Sequence, residues 1–188
     1  MQVHDTLSPP TTLDAWLAAE AAQRAVFDRA GPGVARREQV AGLSGLALMQ
    51  AMLRGELPYP PIAQTLDFLL VEVGDGRAVF HGRPGPAHIN PMGTVHGGWF
   101  ATLLDSALGC AVHTKMPPGR GYTTAELGVN LVRALTPQVS RVRAIGEVVH
   151  AGRQLATATA RLVGPDGTLY AHASTTCLVF ELPPQSKP

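Results

Sequence analysis

The chain has 188 residues, enough for one domain that buries its own core without disulfide or metal staples. Charged residues make up 15% of it against about 25% in a typical globular protein, and 15 basic side chains nearly cancel 14 acidic ones, leaving a net charge of +1. That balance excludes the electrostatic footprint of a nucleic-acid binder or of a protein held on an anionic membrane, and the thin surface charge suits an obligate oligomer.

Residues 1–61 read as a helical extension. The start, Met1-Gln-Val-His-Asp-Thr6, lacks a basic region followed by an apolar run, and no segment is long and apolar enough to cross a bilayer, so the cytoplasm is the expected location. Thr12 or Asp14 is placed to cap a helix through Trp16, Leu17, Glu20 and Ala25 that ends near Gly31-Pro-Gly33. A second helix is predicted from Gly42 to Arg54, with Leu46, Met49 and Leu53 on one face, stopping at Gly55 ahead of Pro58-Tyr-Pro-Pro61. Both helices suit packing against a sheet edge or a neighbouring subunit, and a lid over a ligand site is the second reading.

From Ile62 the pattern turns to strands, and residues 62–182 form the principal domain, followed by a tail at 183–188. Phe68–Val73 and Ala78–Gly82 flank Gly74-Asp-Gly76 as a hairpin. After a polar stretch, Arg83–Val95, a helix apolar nearly all round runs from Gly97 to Lys115 and is therefore expected to be buried. Pro117-Pro-Gly119 ends it. Tyr122–Arg133, Arg141–Ala151, Gln154–Val163 and Leu169–Phe180 alternate as strands, so the fold class is α+β, with an antiparallel sheet wrapping one helix.

Chemistry concentrates at the start of that helix. The first N–H groups of a helix have no partner within it and sit at its positive end, so Gly97 or Gly98 offers a bare amide that an oxyanion can approach closely. Loss of such a donor costs on the order of 3 kcal/mol in acyl transfer. A tight loop-to-helix turn explains His96-Gly-Gly98 equally simply. Asp105 has small or apolar neighbours at helical spacing, Ala101, Thr102, Leu108 and Gly109, and a carboxylate there is expensive unless hydrogen-bonded or used. Capping of a neighbouring loop is its plainer role. Gly97 and Asp105 lie about 12 Å apart along one helix, too far to act on one carbonyl, so if both are catalytic they come from two copies of the chain.

Asn90-Pro-Met-Gly-Thr-Val-His-Gly-Gly98 with Asp105, then Tyr122-Thr-Thr-Ala-Glu-Leu-Gly-Val-Asn-Leu-Val-Arg133, then Gly146-Glu-Val-Val-His-Ala-Gly-Arg153, resembles the hotdog-fold acyl-CoA thioesterases of the PaaI-like group. The resemblance runs from about Ile62 to Glu181. It implies a hotdog fold and hydrolysis of an acyl- or aryl-CoA thioester, phenylacetyl-type or medium-chain. It also implies a homodimer that shares its active site and assembles to a homotetramer. Asp105 then acts as general base or nucleophile, Asn90 holds the water or the thioester, and Gly97 polarises the carbonyl. His96 shapes the loop by hydrogen bonding or positions the substrate, Gly98 contacts the substrate, and Thr124 matches a substrate-site hydroxyl that some relatives use near the water. Asn90 before Pro91 also reads as a plain turn former, and Thr124 as an ordinary strand residue. No cofactor is expected, coenzyme A being part of the substrate.

Two other classes share the fold: a hydratase or dehydratase of enoyl or hydroxyacyl thioesters, and a non-catalytic acyl-CoA-binding protein. The first generally pairs a catalytic His with an acid, a pattern His96 matches poorly. The second would be expected to carry a fused regulatory domain. His88, His113, His150 and His172 lack metal-ligand spacing, so no metal is expected, and Cys110 and Cys177 read as small buried hydrophobes.

Overall fold

A computed structural model describes residues 13–183. Helix α1 spans Leu13–Ala30, α2 Arg37–Val40, α3 Gly45–Leu53 and α4 Pro61–Thr65, followed by strands β1, Phe68–Gly74, and β2, Arg77–Gly82. A 3-10 turn at Pro86–His88 leads to α5, Gly97–Thr114. Strands β3, Arg120–Leu131, β4, Val142–Ala151, β5, Leu155–Val163, and β6, Leu169–Glu181, complete the chain. The strands form one six-stranded antiparallel sheet in the order β1-β2-β4-β5-β6-β3, wrapped around α5 as the α+β reading expects.

The sheet face under α5 is made of small side chains. Ala144, Ala156, Ala158, Ala160, Ala171 and Ala173 are buried there, and Gly146 pairs with Ala160 in register. A Cβ on Gly146 would stand 2.3 Å from the Ala107 carbonyl oxygen, so the bare glycine lets the helix backbone settle directly on β4. Onto that floor α5 presses Leu103, Leu104, Leu108 and Val112, all with no solvent exposure. At about 1.5–3 kcal/mol for each large side chain removed from water, this seam is the main stabilising contact of the domain.

The extension differs in detail from the sequence reading. α1 ends before Gly31 as expected; Thr12 lies outside the described residues, and Asp14 sits in the first turn of the helix. α3 begins at Gly45 instead of Gly42, because Ser44 supplies the N-cap, accepting a hydrogen bond from Ala47 N at 3.2 Å. α4 was not anticipated: Pro60-Pro61 looks like a stop but also suits the first turn of a new helix, which straddles the expected boundary at residue 61.

α1 starts on the outer face of the sheet, where Trp16 and Glu20 are buried. The Arg143 guanidinium lies 4.4 Å over the Trp16 ring, and Arg141 and Arg24 both donate to the Glu20 carboxylate. One turn on, Arg24 Nη2 donates to Asp67 at 2.7 Å beside β1, and Phe27 then turns in over the sheet edge. The β1 edge is thus covered by α1 and α4, whereas β3 forms the opposite edge of the sheet.

Candidate active site

The loop before α5 is built on Asn90. Its Oδ1 accepts from Met92 N at 2.9 Å and Thr94 N at 3.2 Å, and its Nδ2 donates to Thr94 Oγ1 at 2.9 Å. This is the turn-forming geometry weighed for Asn90, and it leaves one Nδ2 hydrogen uncommitted. His96 N donates to the His88 carbonyl at 2.7 Å, and the Trp99 indole donates to the Leu66 carbonyl at 2.8 Å, which fixes where the helix starts.

His96 is the N-cap of α5, its Nδ1 accepting from Gly98 N at 2.9 Å. That bond occupies the Gly98 amide and takes the ring nitrogen a catalytic base would need. The Gly97 amide donates to no described acceptor and so remains open at the positive end of the helix. Asn90 and Gly97 line one shallow cavity, together with Leu131, Val132 and Arg133 from the end of β3.

Two turns further along α5, Asp105 faces β3, and Thr124 Oγ1 donates to Asp105 Oδ1 at 3.2 Å. Tyr122 and Thr124 share the face of β3 turned toward α5, and the register shifts immediately afterwards, between Thr124 and Glu126. Asp105 and Thr124 line a second cavity of about 150 Å³ that is otherwise largely apolar. Within one protomer the six residues named from the sequence therefore divide. Asn90, His96, Gly97 and Gly98 gather at the helix start, and Asp105 with Thr124 at mid-helix.

The same cavity contains residues the sequence reading did not assign to a site: Ser106, Gly109, Cys110 and Tyr122 from the core, and Phe27, Met52, Tyr59 and Ala63 from the chain before β1. Cys177 is fully buried as expected, but Cys110 is only partly so and faces this cavity. Desolvation, reinforced by Asp105, pushes the Cys110 thiol up to about 12, and desolvation likewise holds the Tyr122 phenol well above its usual range. Both stay protonated at neutral pH, so Cys110 supplies no thiolate nucleophile and Asp105 is the one carboxylate among the cavity's described residues.

Comparison with known proteins bears on the fold and the family. Residues 92–171 match the model of the thioesterase superfamily, a span that includes Gly97, Asp105 and Thr124. A phenylacetic acid degradation-related protein from Ralstonia eutropha is 28% identical, with a TM-score of 0.63 over 69% of this chain and 97% of that one. A thioesterase family protein from Silicibacter pomeroyi is 28% identical, with a TM-score of 0.59 over 64% and 90%. A mutant form of the phenylacetic acid degradation protein PaaI from Thermus thermophilus is also 28% identical, with a TM-score of 0.57 over 63% and 97%. No curated protein matches.

Sheet order and central helix define a hotdog fold, and the family match over residues 92–171 supports a thioester hydrolase. Within that class its likeness is to the PaaI-like proteins.

Proposed function

We propose that the chain hydrolyses an aryl- or arylacetyl-CoA thioester in a site completed by a second copy of itself. The observation that carries the reading is the Asp105 carboxylate, held by the Thr124 hydroxyl at the wall of an apolar cavity of about 150 Å³. An apolar cavity of about that volume accommodates benzene, so a single aromatic ring fits where a long acyl chain does not.

The two half-sites are joined by the free edge of the sheet. β3 is twelve residues long and lies at an edge, with Leu131 53% exposed at its end, and a long uncovered edge strand is a template for pairing. Antiparallel pairing of β3 with its own copy, about a two-fold near mid-strand, brings the end of one strand that carries Thr124 beside the opposite end of the partner's strand, which carries Leu131. A Cβ on Gly97 would stand 3.0 Å from the Leu131 side chain, so this pairing carries the open Gly97 amide of the partner subunit toward Asp105. The isologous symmetry makes two such sites in a dimer. Pairing of dimers into tetramers would leave this site unchanged.

In the mechanism that follows, the thioester carbonyl accepts the Gly97 hydrogen bond, and negative charge gathering on its oxygen is stabilised at the helix terminus. Asp105 either takes a proton from the attacking water or adds directly to the carbonyl, forming an anhydride that water then opens. The C–S bond breaks, and CoA leaves as a thiolate that takes up a proton. The free Nδ2 hydrogen of Asn90 is available to hold water or thioester.

Thiol release from aryl, short, medium and long acyl-CoA esters tests this reading. Asp105→Asn is expected to lower turnover by about 10²–10⁴-fold with the melting temperature kept. Full activity in that variant, or no thiol release from any ester by the native protein, overturns it.

A further inference from the structure

The solved relatives are covered almost completely while about a third of this chain lies beyond them, so the extension is additional to the compact domain. Its apolar side chains nevertheless do not stay on the outside. Phe27 from the end of α1 stacks on Tyr59, with ring centroids 5.0 Å apart and planes 11° from parallel, and both rings line the cavity that contains Asp105. Met52 from α3 and Ala63 from α4 complete that wall.

The wall is fixed by the backbone as well as by the rings. Gly33 N donates to the Tyr59 carbonyl at 2.8 Å, and Tyr59 N to the Gly31 carbonyl at 3.2 Å, so the chain leaving α1 holds Tyr59 in a short parallel bridge. Gln23 Nε2 donates to the Leu53 carbonyl at 2.6 Å, tying α1 to the end of α3. Gly45 N donates to the Met116 carbonyl at 2.8 Å, and a Cβ at Gly45 would stand 1.7 Å from the His113 carbonyl oxygen, so α3 is seated tightly on the C-terminal end of α5. Phe27, Met49, Tyr59 and Ala63 belong to the same buried core as α5. A wall assembled in this way is a built part of the fold, unlike a lid hinged over it.

We infer that the N-terminal extension is the specificity determinant of the enzyme: Phe27, Tyr59, Met52 and Ala63 close the far end of the acyl pocket and limit the acyl group to about the size of one ring. This rests on the thioesterase reading for the identity of the ligand, and on the cavity alone for its size and polarity. Opposite the extension, the pocket is made by Phe68, Leu70 and Phe80 of the sheet, so aromatic edges and faces surround the space on both sides. Nothing in that wall offers a charge, which restricts the recognised end of the ligand to an uncharged apolar group.

The test compares full-length native protein with Phe27→Ala, which lengthens the pocket, and Ala63→Leu, which fills it. Hydrolysis of butanoyl-, phenylacetyl-, hexanoyl-, octanoyl- and decanoyl-CoA is measured beside the affinity of the matching non-hydrolysable CoA thioethers. Phe27→Ala is expected to raise the decanoyl-to-phenylacetyl ratio of kcat/KM at least tenfold, each further buried methylene contributing about fourfold. Ala63→Leu is expected to move preference toward esters shorter than hexanoyl. Thioether affinities are expected to follow the same order in both variants.

Hydrolysis by all three proteins with unchanged ratios in both folded variants overturns the inference and leaves the thioesterase reading intact. Length-dependent thioether binding that shifts in the variants, with no hydrolysis by native protein, overturns the catalytic reading and keeps the pocket wall. Neither hydrolysis nor binding overturns both.

Discussion

The Gly97 amide is the smallest group on which the account depends, and it can be removed without removing the helix. Position 97 is the first residue of α5, where proline is well tolerated because its missing N–H has no partner in the helix. His96 before it already has extended backbone, φ −63° and ψ 137°, as the residue ahead of a proline requires. Gly97→Pro is therefore expected to keep the fold and lower kcat about 10²–10³-fold, as loss of one oxyanion donor does. Unchanged kcat in a folded Gly97→Pro protein would exclude the amide from the chemistry. Thr124→Val tests the neighbouring contact; a fall of about tenfold in kcat/KM with little change in melting temperature is expected if the hydroxyl orients Asp105. The motif was legible in the sequence because Asn90, Gly97 and Asp105 are close along the chain. That the Asn90 side chain is largely engaged in its own turn was not, since the same dipeptide suits both roles.

At the level of elements, the pressure of α5 on β4 gives the sharpest stability prediction. Gly146→Ala puts a methyl group into the Ala107 backbone, and overpacking of this kind costs about 1–3 kcal/mol, read as a lower urea midpoint or melting temperature. The docking of α1 carries a pH dependence. Burial alone would raise the Glu20 carboxyl, but hydrogen bonds from Arg141 and Arg24 outweigh it and hold the group below its ordinary 4.5. That contribution is complete above about pH 4.5 and is lost as pH falls through the depressed value. His81 acts in the same direction. Burial first, and then the Arg143 charge, lower its imidazole from 6.5 to about 3, and its Nε2 accepts from Arg143. The unfolded chain binds a proton below pH 6.5 that the folded one refuses until about 3, so stability falls across that window. Urea midpoints are expected to drop steadily from pH 7 to pH 4, and a flat profile would show that these groups do not govern the docking of α1. Strands and α5 were readable from period-two and all-round apolar patterns. α4 was hidden because its prolines signal an end and a beginning alike.

For the whole molecule, sequence and structure part company over long-range assembly. The hairpin of β1 and β2 is local and was anticipated, whereas nothing in the pattern of β3 assigns it to the far edge beside β6. Phe27, Met52 and Tyr59 likewise carry no shared periodicity, so their convergence on Asp105 emerges only when α1 and α3 dock. The free β3 edge and the split between the Gly97 and Asp105 half-sites give the account its central claim, that one active site draws on two copies of the chain. Complementation tests it most directly. Asp105→Asn and Gly97→Pro proteins, each inactive alone, are refolded together in equal amounts and assayed for thiol release. Random pairing makes half the dimers mixed, each with one intact site, so about a quarter of native activity is expected to return. No recovery from a mixture shown to contain mixed dimers would contradict the shared site and confine the chemistry to a single protomer.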